Sequence, residues 1–148
     1  MRASLPHATV RLFRLVNRTH GRALEAIGLS AEQAHVLTVL WAFGPQTVGE
    51  LGKALALSSP TLTGALDRLA AQRLIRRRPS DDDGRAYVIE SRASATLRRR
   101  ALRCLERTEA ACFGALTRTE RRELLRLMTK ATAALEGATP PRRRHGSR

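Results

Sequence analysis

Three times in this chain a Ser or Thr stands three positions ahead of a Glu or Gln at the head of an apolar run: Ser30 with Gln33, Thr47 with Glu50, and Thr117 with Glu120. In such a pair the hydroxyl accepts the backbone N–H of the third residue. The longer side chain turns back to the N–H of the first, so two otherwise orphaned donors of a helix start are satisfied together. The pattern sets where three helices begin, and spacing of apolar residues supplies the rest. Val10, Phe13, Val16, Leu24 and Ile27, with His20 on the same stripe, predict a first helix within Leu5–Ile27, closed by Gly28. A second helix after Ser30 carries Val36, Leu37, Leu40 and Trp41 and stops at Gly44-Pro45, the Gly-then-Pro ending of a helix. The third, after Thr47, carries Val48, Leu51, Ala54 and Leu55 and has room for about two turns before Ser58. Ser59-Pro60 predicts the start of a fourth, with Ser59 as cap and Pro60 at the first helical position, where a missing N–H costs nothing.

After Leu74 the pattern changes. LIRRRPS and RAYVIE are short β-prone runs, and Asp83-Gly84 between them favours a tight turn, so a hairpin follows the helix pair directly. A long helix is expected from about Ser91 to Ala115, with Leu97, Ala101, Leu105, Cys112 and Phe113 on one side. A last helix runs from Thr117 to about Glu136, with Leu124, Met128, Ala131 and Leu135 inward. The closing GATPPRRRHGSR has no periodicity and reads as a disordered basic tail.

The 148 residues suggest one domain. Aromatic residues make up only 3%, so the core must be built from Leu, Ala, Val and Ile. Lys and Arg number 27 against 13 acidic residues, and the resulting charge of +14 points to a polyanionic partner, nucleic acid first. The plainer alternative is arginine solvated on helix faces. No stretch of about 18 apolar residues is present, which argues against a membrane partner. MRASLPHATVRLFRLVNRTH lacks the uninterrupted apolar centre of a secretion signal, so the expected location is cytoplasmic.

Little in the sequence suggests catalysis or a cofactor. Cys104 and Cys112 lie eight residues apart in one expected helix, about 12 Å along its axis and too far to bond within the chain. They read as small buried hydrophobes, with a redox-sensing thiol or a bridge between subunits as alternatives. No Cys/His spacing suggests zinc. No clustered nucleophile and base and no glycine-rich phosphate loop suggest an enzyme. Asp81, Asp82 and Asp83 offer carboxylates for a divalent metal, but three adjacent acids at a turn ordinarily face water. The expectation is a non-enzyme with no metal and no cofactor.

The fourth helix is the most informative element. Leu62, Ala65, Leu66 and Leu69 form one narrow stripe, expected to pack on the third helix. The opposite face carries Thr61, Thr63, Gly64, Asp67, Arg68 and Ala71, all short or hydrogen-bonding apart from one Arg. Such a face lets a backbone approach phosphates while Thr and Arg reach base edges in a major groove. Ser58, Ser59 and Pro60 place the free N–H groups of the helix start on the same side. A short helix, a tight turn and a second helix make a helix-turn-helix. The hairpin with Arg76, Arg77, Arg78 and Arg85 then acts as a wing, its tip toward a narrow minor groove that favours Arg. The acidic tip either holds Arg85 in place or is a plain soluble turn. A competing reading is a winged helix that grips nucleic acid without sequence preference.

The chain at this point resembles the MarR (multiple antibiotic resistance regulator) family of winged helix-turn-helix regulators. The resemblance rests on the Gln33-containing helix start, on GPQTVGELGKALALSSPTLTGALDRL and on IRRRPSDDDGR, with Asp83 and Arg85 matching the wing motif. Two departures stand out. Ser91-Arg92 replaces the family's usual Leu-Thr after the wing, and Arg73 replaces a frequent Gly after the fourth helix. The resemblance implies a mainly α fold with the N- and C-terminal helices forming a dimerisation region. The expected parts are 1–29 (dimerisation helix), 30–90 (winged helix-turn-helix), 91–136 (dimerisation helices) and 137–148 (tail). It implies a homodimeric, ligand-responsive repressor on a pseudo-palindromic double-stranded operator, with recognition helices about 34–36 Å apart. His20, His35 and Trp41 fall where a small lipophilic or aromatic ligand would bind, although packing alone also accounts for each. Redox-responsive members keep a reactive Cys near the N-terminus, which this chain does not. Arg142, Arg143, Arg144 and Arg148 would add phosphate contacts, each steepening the salt dependence by about 0.9 in log–log slope.

Overall fold

The computed structural model describes residues 4–81 and 87–138. The order of elements is α1 (Leu5–Glu25), α2 (Ala31–Phe43), α3 (Val48–Leu55), α4 (Ser59–Ala71), β1 (Ile75–Pro79), β2 (Tyr87–Ser91), α5 (Ala95–Phe113) and α6 (Arg118–Ala138). The molecule is mainly helical, with a two-stranded antiparallel hairpin between α4 and α5. The chain falls into two compact units, one spanning 1–111 and the other 112–148.

All three capping boxes form. Ser30 Oγ accepts Gln33 N–H at 3.2 Å, and Gln33 Oε1 accepts Ser30 N–H at 2.8 Å. Thr47 with Glu50 and Thr117 with Glu120 repeat the reciprocal pair at 2.7 and 3.2 Å. The Thr47 N–H and hydroxyl hold the Glu50 carboxyl below the usual carboxylate range. α2 ends at Gly44, whose φ of +76° suits glycine and turns the chain toward α3. α4 begins one residue earlier than its sequence suggests. Ser58, not Ser59, is the cap, and Pro60 sits in the second helical position, which also lacks an intrahelical acceptor for its N–H.

In the first unit α2 packs against α1, α3, α4 and β2. Val36, Leu37 and Leu40 join Leu24 of α1, Leu51 of α3, Leu62, Ala65, Leu66 and Leu69 of α4, Ile75 and Ile89 of the hairpin, and Ala101 and Cys104 of α5 in one core. The expected stripe of α4 is buried throughout, but it seats chiefly on α2, with α3 the lesser neighbour. Of the four apolar residues expected inward on α3, only Leu51 is fully buried. The buried side of α5 is Ala101, Cys104 and Thr108, and Leu105, expected inward, is exposed. The second unit consists of the end of α5 and α6, which runs to Ala138, two residues beyond Glu136. Met128, Ala131 and Leu135, expected inward, lie exposed on α6.

The end of α4 shows what the Arg73 departure costs. Leu74 N–H reaches Leu69 O at 2.9 Å and Arg73 N–H reaches Ala70 O at 2.9 Å. This is the paired bonding of a helix stop that needs a left-handed residue between them, and Arg73 has φ +58°. A side chain there costs about 1–2 kcal/mol, while glycine gives back about 0.4–1 kcal/mol as unfolded-chain entropy. We expect Arg73→Gly to raise the unfolding free energy by about 0.5–1 kcal/mol, read from the urea midpoint at unchanged slope. A lower midpoint would mean that the Arg73 side chain makes a stabilising contact that outweighs its backbone strain.

Candidate nucleic-acid interface

α4 is held at both ends by polar side chains. At its start Ser58 Oγ accepts Thr61 N–H at 3.4 Å and lies 2.8 Å from Thr61 Oγ1. At its end Gln72 Nε2 donates to Gly28 O at 3.1 Å, while Gln72 Oε1 accepts from buried Gln33 Nε2 at 2.8 Å. The glutamine pair ties the end of α4 to the start of α2, a link that the capping pattern alone does not reveal. With the apolar stripe inward, Ser58, Ser59, Pro60, Thr61, Thr63, Asp67 and Arg68 are exposed together, and Gly64 is half-buried between them. A Cβ on Gly64 would lie 3.4 Å from an Arg68 Nη, so the missing side chain lets the guanidinium lie close along the helix.

The hairpin stands beside this face. Its register pairs Ile75 with Ser91, Arg76 with Glu90, Arg77 with Ile89, Arg78 with Val88 and Pro79 with Tyr87. β2 is also bonded on its other side, where Gln46 N–H gives to Ile89 O at 3.1 Å and Ile89 N–H gives to Gln46 O at 2.7 Å. The loop between α2 and α3 thus acts as a third strand for one residue. The arginines are less free than their sequence suggests. Arg76 bonds Glu90 at 2.6 Å, Arg78 bonds Asp81 at 3.0 Å and approaches Glu90 at 3.7 Å, and Arg77 lies 3.8 Å from Asp67 of α4. Hydrogen bonding from Arg76, aided by the charges of Arg76, Arg78 and Arg92, holds the Glu90 carboxyl below its ordinary range. Asp67 therefore joins the two parts of the face, linking α4 to the wing. Asp83 and Arg85 lie outside the described residues.

Of the three residues expected near a ligand, the structure brings two together. His20 and His35 stack with ring centroids 5.7 Å apart and 14° between planes. Trp41 instead donates its indole N–H to Ser91 Oγ at 3.1 Å, beneath the Arg98 guanidinium. His20 is 5% exposed, and its Nδ1 lies 3.0 Å from Thr108 Oγ1. Thr108 gives its only hydroxyl proton to Cys104 O at 2.8 Å, so His20 must be the donor and carries its proton on Nδ1. Burial, and secondarily the neighbouring His35, push the His20 pKa down, and burial lowers that of His35 despite nearby Glu32. Cys104 is buried with Sγ 3.3 Å from Ala23 O, as expected of a small core residue, and Cys112 is half-buried. Among the described residues no group of three or more His, Cys, Asp or Glu is placed to hold a metal ion, and no helix is long and apolar enough to cross a membrane.

A capped helix with a short polar face, fixed after a two-turn helix and followed by an arginine-bearing hairpin, defines a winged helix-turn-helix DNA-binding protein. The sequence profile of the MarR family matches residues 29–87. The transcriptional repressor NicR of Pseudomonas putida is 30% identical over 111 residues, 74% of this chain and 70% of NicR. The transcriptional regulator YcgE of Bacillus subtilis is 37% identical over 92 residues, 60% of each chain. The chain belongs to the MarR family of DNA-binding transcription regulators. Two solved structures show the same fold at 22% identity. Bordetella bronchiseptica BpsR has a TM-score of 0.76, covering 87% of this chain and 93% of that one. Escherichia coli MarR with operator DNA, in a cysteine-to-serine mutant, has a TM-score of 0.72, covering 86% and 92%.

The histidine pair yields a pH expectation. A histidine whose native pKa is lowered binds fewer protons when folded than when unfolded. Its contribution is present above the ordinary value near 6.5 and is lost as pH falls below it. We expect the melting temperature to drop between pH 7 and pH 5.5, and His20→Gln to flatten that drop while lowering stability at pH 7. An undiminished acid drop in His20→Gln would place its origin elsewhere.

Proposed function

We propose that this protein is a homodimeric, sequence-specific repressor that reads a pseudo-palindromic double-stranded operator and lets go when a small aromatic or lipophilic ligand binds. The observation that carries the reading is the exposed face of α4. Thr61, Thr63, Gly64, Asp67 and Arg68 present no bulky apolar group, and the arginine strand β1 stands alongside. In a major groove Thr63 and Arg68 would meet base edges. Ser58, Ser59, Pro60 and Thr61 would meet phosphates at the helix start. Arg76, Arg77 and Arg78 would follow the DNA backbone, and the wing motif implies Arg85 as the minor-groove contact, with Asp83 holding Arg85 in place. Dimerisation is supported by apolar side chains left in water on both terminal helices, among them Leu5 at 83%, Phe13 at 61% and Leu125 at 67% exposure. Residues 1–29 and 91–136 would supply that interface, and a cytoplasmic location follows from the DNA partner. NicR is named a repressor, and the DNA binding of BpsR is regulated by 6-hydroxynicotinic acid, a small aromatic carboxylate. These relatives favour repression and a ligand of that kind here, with His20 and His35 the nearest polar groups to such a site and Trp41 at its margin.

The test is fluorescence anisotropy on a duplex selected by the protein from a randomised pool, beside a scrambled duplex, at two salt concentrations. We expect the selected duplex to bind at least about a thousandfold more tightly at physiological salt. We expect Arg68→Ala to lose about 1–3 kcal/mol of discrimination at one base position in each half-site. Equal, weak binding to both duplexes that collapses with salt would favour the alternative, a winged helix that grips nucleic acid nonspecifically. A uniform loss across all sequences in Arg68→Ala would make Arg68 a phosphate contact.

A further inference from the structure

Two backbone attachments hold the foot of the wing. Arg92 N–H bonds Leu74 O at 2.7 Å, just past the end of α4, and Ile89 pairs with Gln46. A third attachment is a side chain. Trp41, in the last turn of α2, donates its indole N–H to the hydroxyl of Ser91, the last residue of β2. The same hydroxyl accepts Ala93 N–H at 3.3 Å and so shapes the turn out of the strand. Over the indole, 5.8 Å from the ring centroid, lies the guanidinium of Arg98, in the first turn of α5. That is within the range of a cation–π contact. One half-buried ring thus grips the exit of the wing on one side and the entry of α5 on the other.

The position gives the contact leverage. A two-stranded hairpin has little stiffness of its own, so its direction is set at its foot. Ile89, fully buried and doubly bonded to Gln46, is the pivot, with Ser91 and Tyr87 about 7 Å to either side of it at about 3.4 Å per residue. A displacement at Ser91 is therefore returned at about the same size at Tyr87, and about an ångström is enough to take an arginine out of good hydrogen-bond geometry with a phosphate. Ser91 is also where the chain departs from the family's Leu-Thr, so this hydroxyl is a feature of the present sequence.

We propose that Trp41 is a positioning residue for DNA binding: through Ser91 it sets the angle of the wing, and through Arg98 it makes that angle move with the start of α5. The proposal rests on the reading of the wing as a DNA contact.

The test compares Trp41→Phe, Ser91→Ala, their double variant and Arg77→Ala in the full-length protein, by anisotropy on the selected duplex across a salt series. Trp41→Phe keeps an aromatic ring under Arg98 but loses the N–H together with one ring of the indole, so Ser91→Ala, which leaves the indole whole, isolates the bond. Ser91→Ala removes the acceptor. If the bond aims the wing, each should weaken binding about five- to tenfold and reduce the salt slope toward that of Arg77→Ala, since each lost phosphate contact removes about 0.9 from it. The double variant should be no worse than either single one. A general loss of folding would lower affinity through the active fraction and leave the slope alone. Should Trp41→Phe fail to fold, the Ser91→Ala slope decides. Wild-type affinity in both single variants, or weakened binding at an unchanged slope, would overturn the proposal while leaving the wing reading in place if Arg77→Ala is defective. Wild-type affinity and slope in Arg77→Ala would reject the wing reading itself, and the proposal with it.

Discussion

Everything near the interface depends on the burial of α2. Its sequence, AEQAHVLTVLWAF, is apolar on most sides, and it has neighbours to match: α1, α3, α4 and β2 all pack on it. Val36 and Leu37 are fully inaccessible to solvent. Because α4 seats chiefly on α2, the direction of its outer face is set by a helix that itself contributes nothing to that face. Removing a methylene or more from Leu37 or Leu66 would leave a cavity costing up to about 2–5 kcal/mol for truncation to Ala. It would also loosen the platform under Thr63 and Arg68. Affinity and stability are therefore coupled at these positions through packing alone.

The charge of +14 is less available than it looks. Three of the wing's arginines are engaged by Glu90, Asp81 and Asp67, all within 4 Å. Exposed pairs of this sort contribute little to stability. Their effect is on geometry, since they hold long side chains near one conformation, which on the proposed reading of the wing lowers the entropy lost on meeting DNA. They also lower the net positive charge of the face and so temper binding to any phosphate backbone. A face made only of free arginines would bind more DNA and distinguish less of it.

The sequence displayed local chemistry better than tertiary partnership. Capping boxes at Ser30, Thr47 and Thr117 were legible because each is complete within four residues, and the Gly44-Pro45 stop for the same reason. The hairpin was legible from its β-prone runs. The exposed face of α4 followed from its periodicity, although its neighbour did not: a four-residue apolar stripe says that something covers it, not which helix. The cap of α4 reads one residue late from the sequence because SSP offers two equivalent hydroxyls. The turn between α3 and α4 uses Ala56 at φ +50°, and no glycine marks it. Links between distant residues, such as Gln33 with Gln72, Asp67 with Arg77 and Trp41 with Ser91, have no local signature. Trp41 could be singled out by its rarity, yet its partner lies 50 positions away. The exposed Met128 marks the limit from the other side, because an apolar stripe shows which residues could be covered and not whether another element of the chain covers them.

The contacts of α2 also differ in kind from one side to the other. Toward α4 they are mostly interlocked aliphatic side chains, backed by the Gln33–Gln72 bond. Toward α1 and α5 the aliphatic packing of Leu24 and Ala101 is interrupted by the His35 and His20 rings, Thr108 and the Cys104 thiol. The hydrogen bonds among these groups, His20 with Thr108 and Cys104 with Ala23, join α1 to α5 and do not reach α2, which meets that pair through packing and the His20–His35 stack. The α1–α5 pair is thus fastened within itself by polar contacts, while the α2–α3–α4 head is fastened to it by packing. Trp41 and Arg98 bridge the same boundary at the foot of the wing, so a shift of α5 against α2 would strain the contact that holds Ser91.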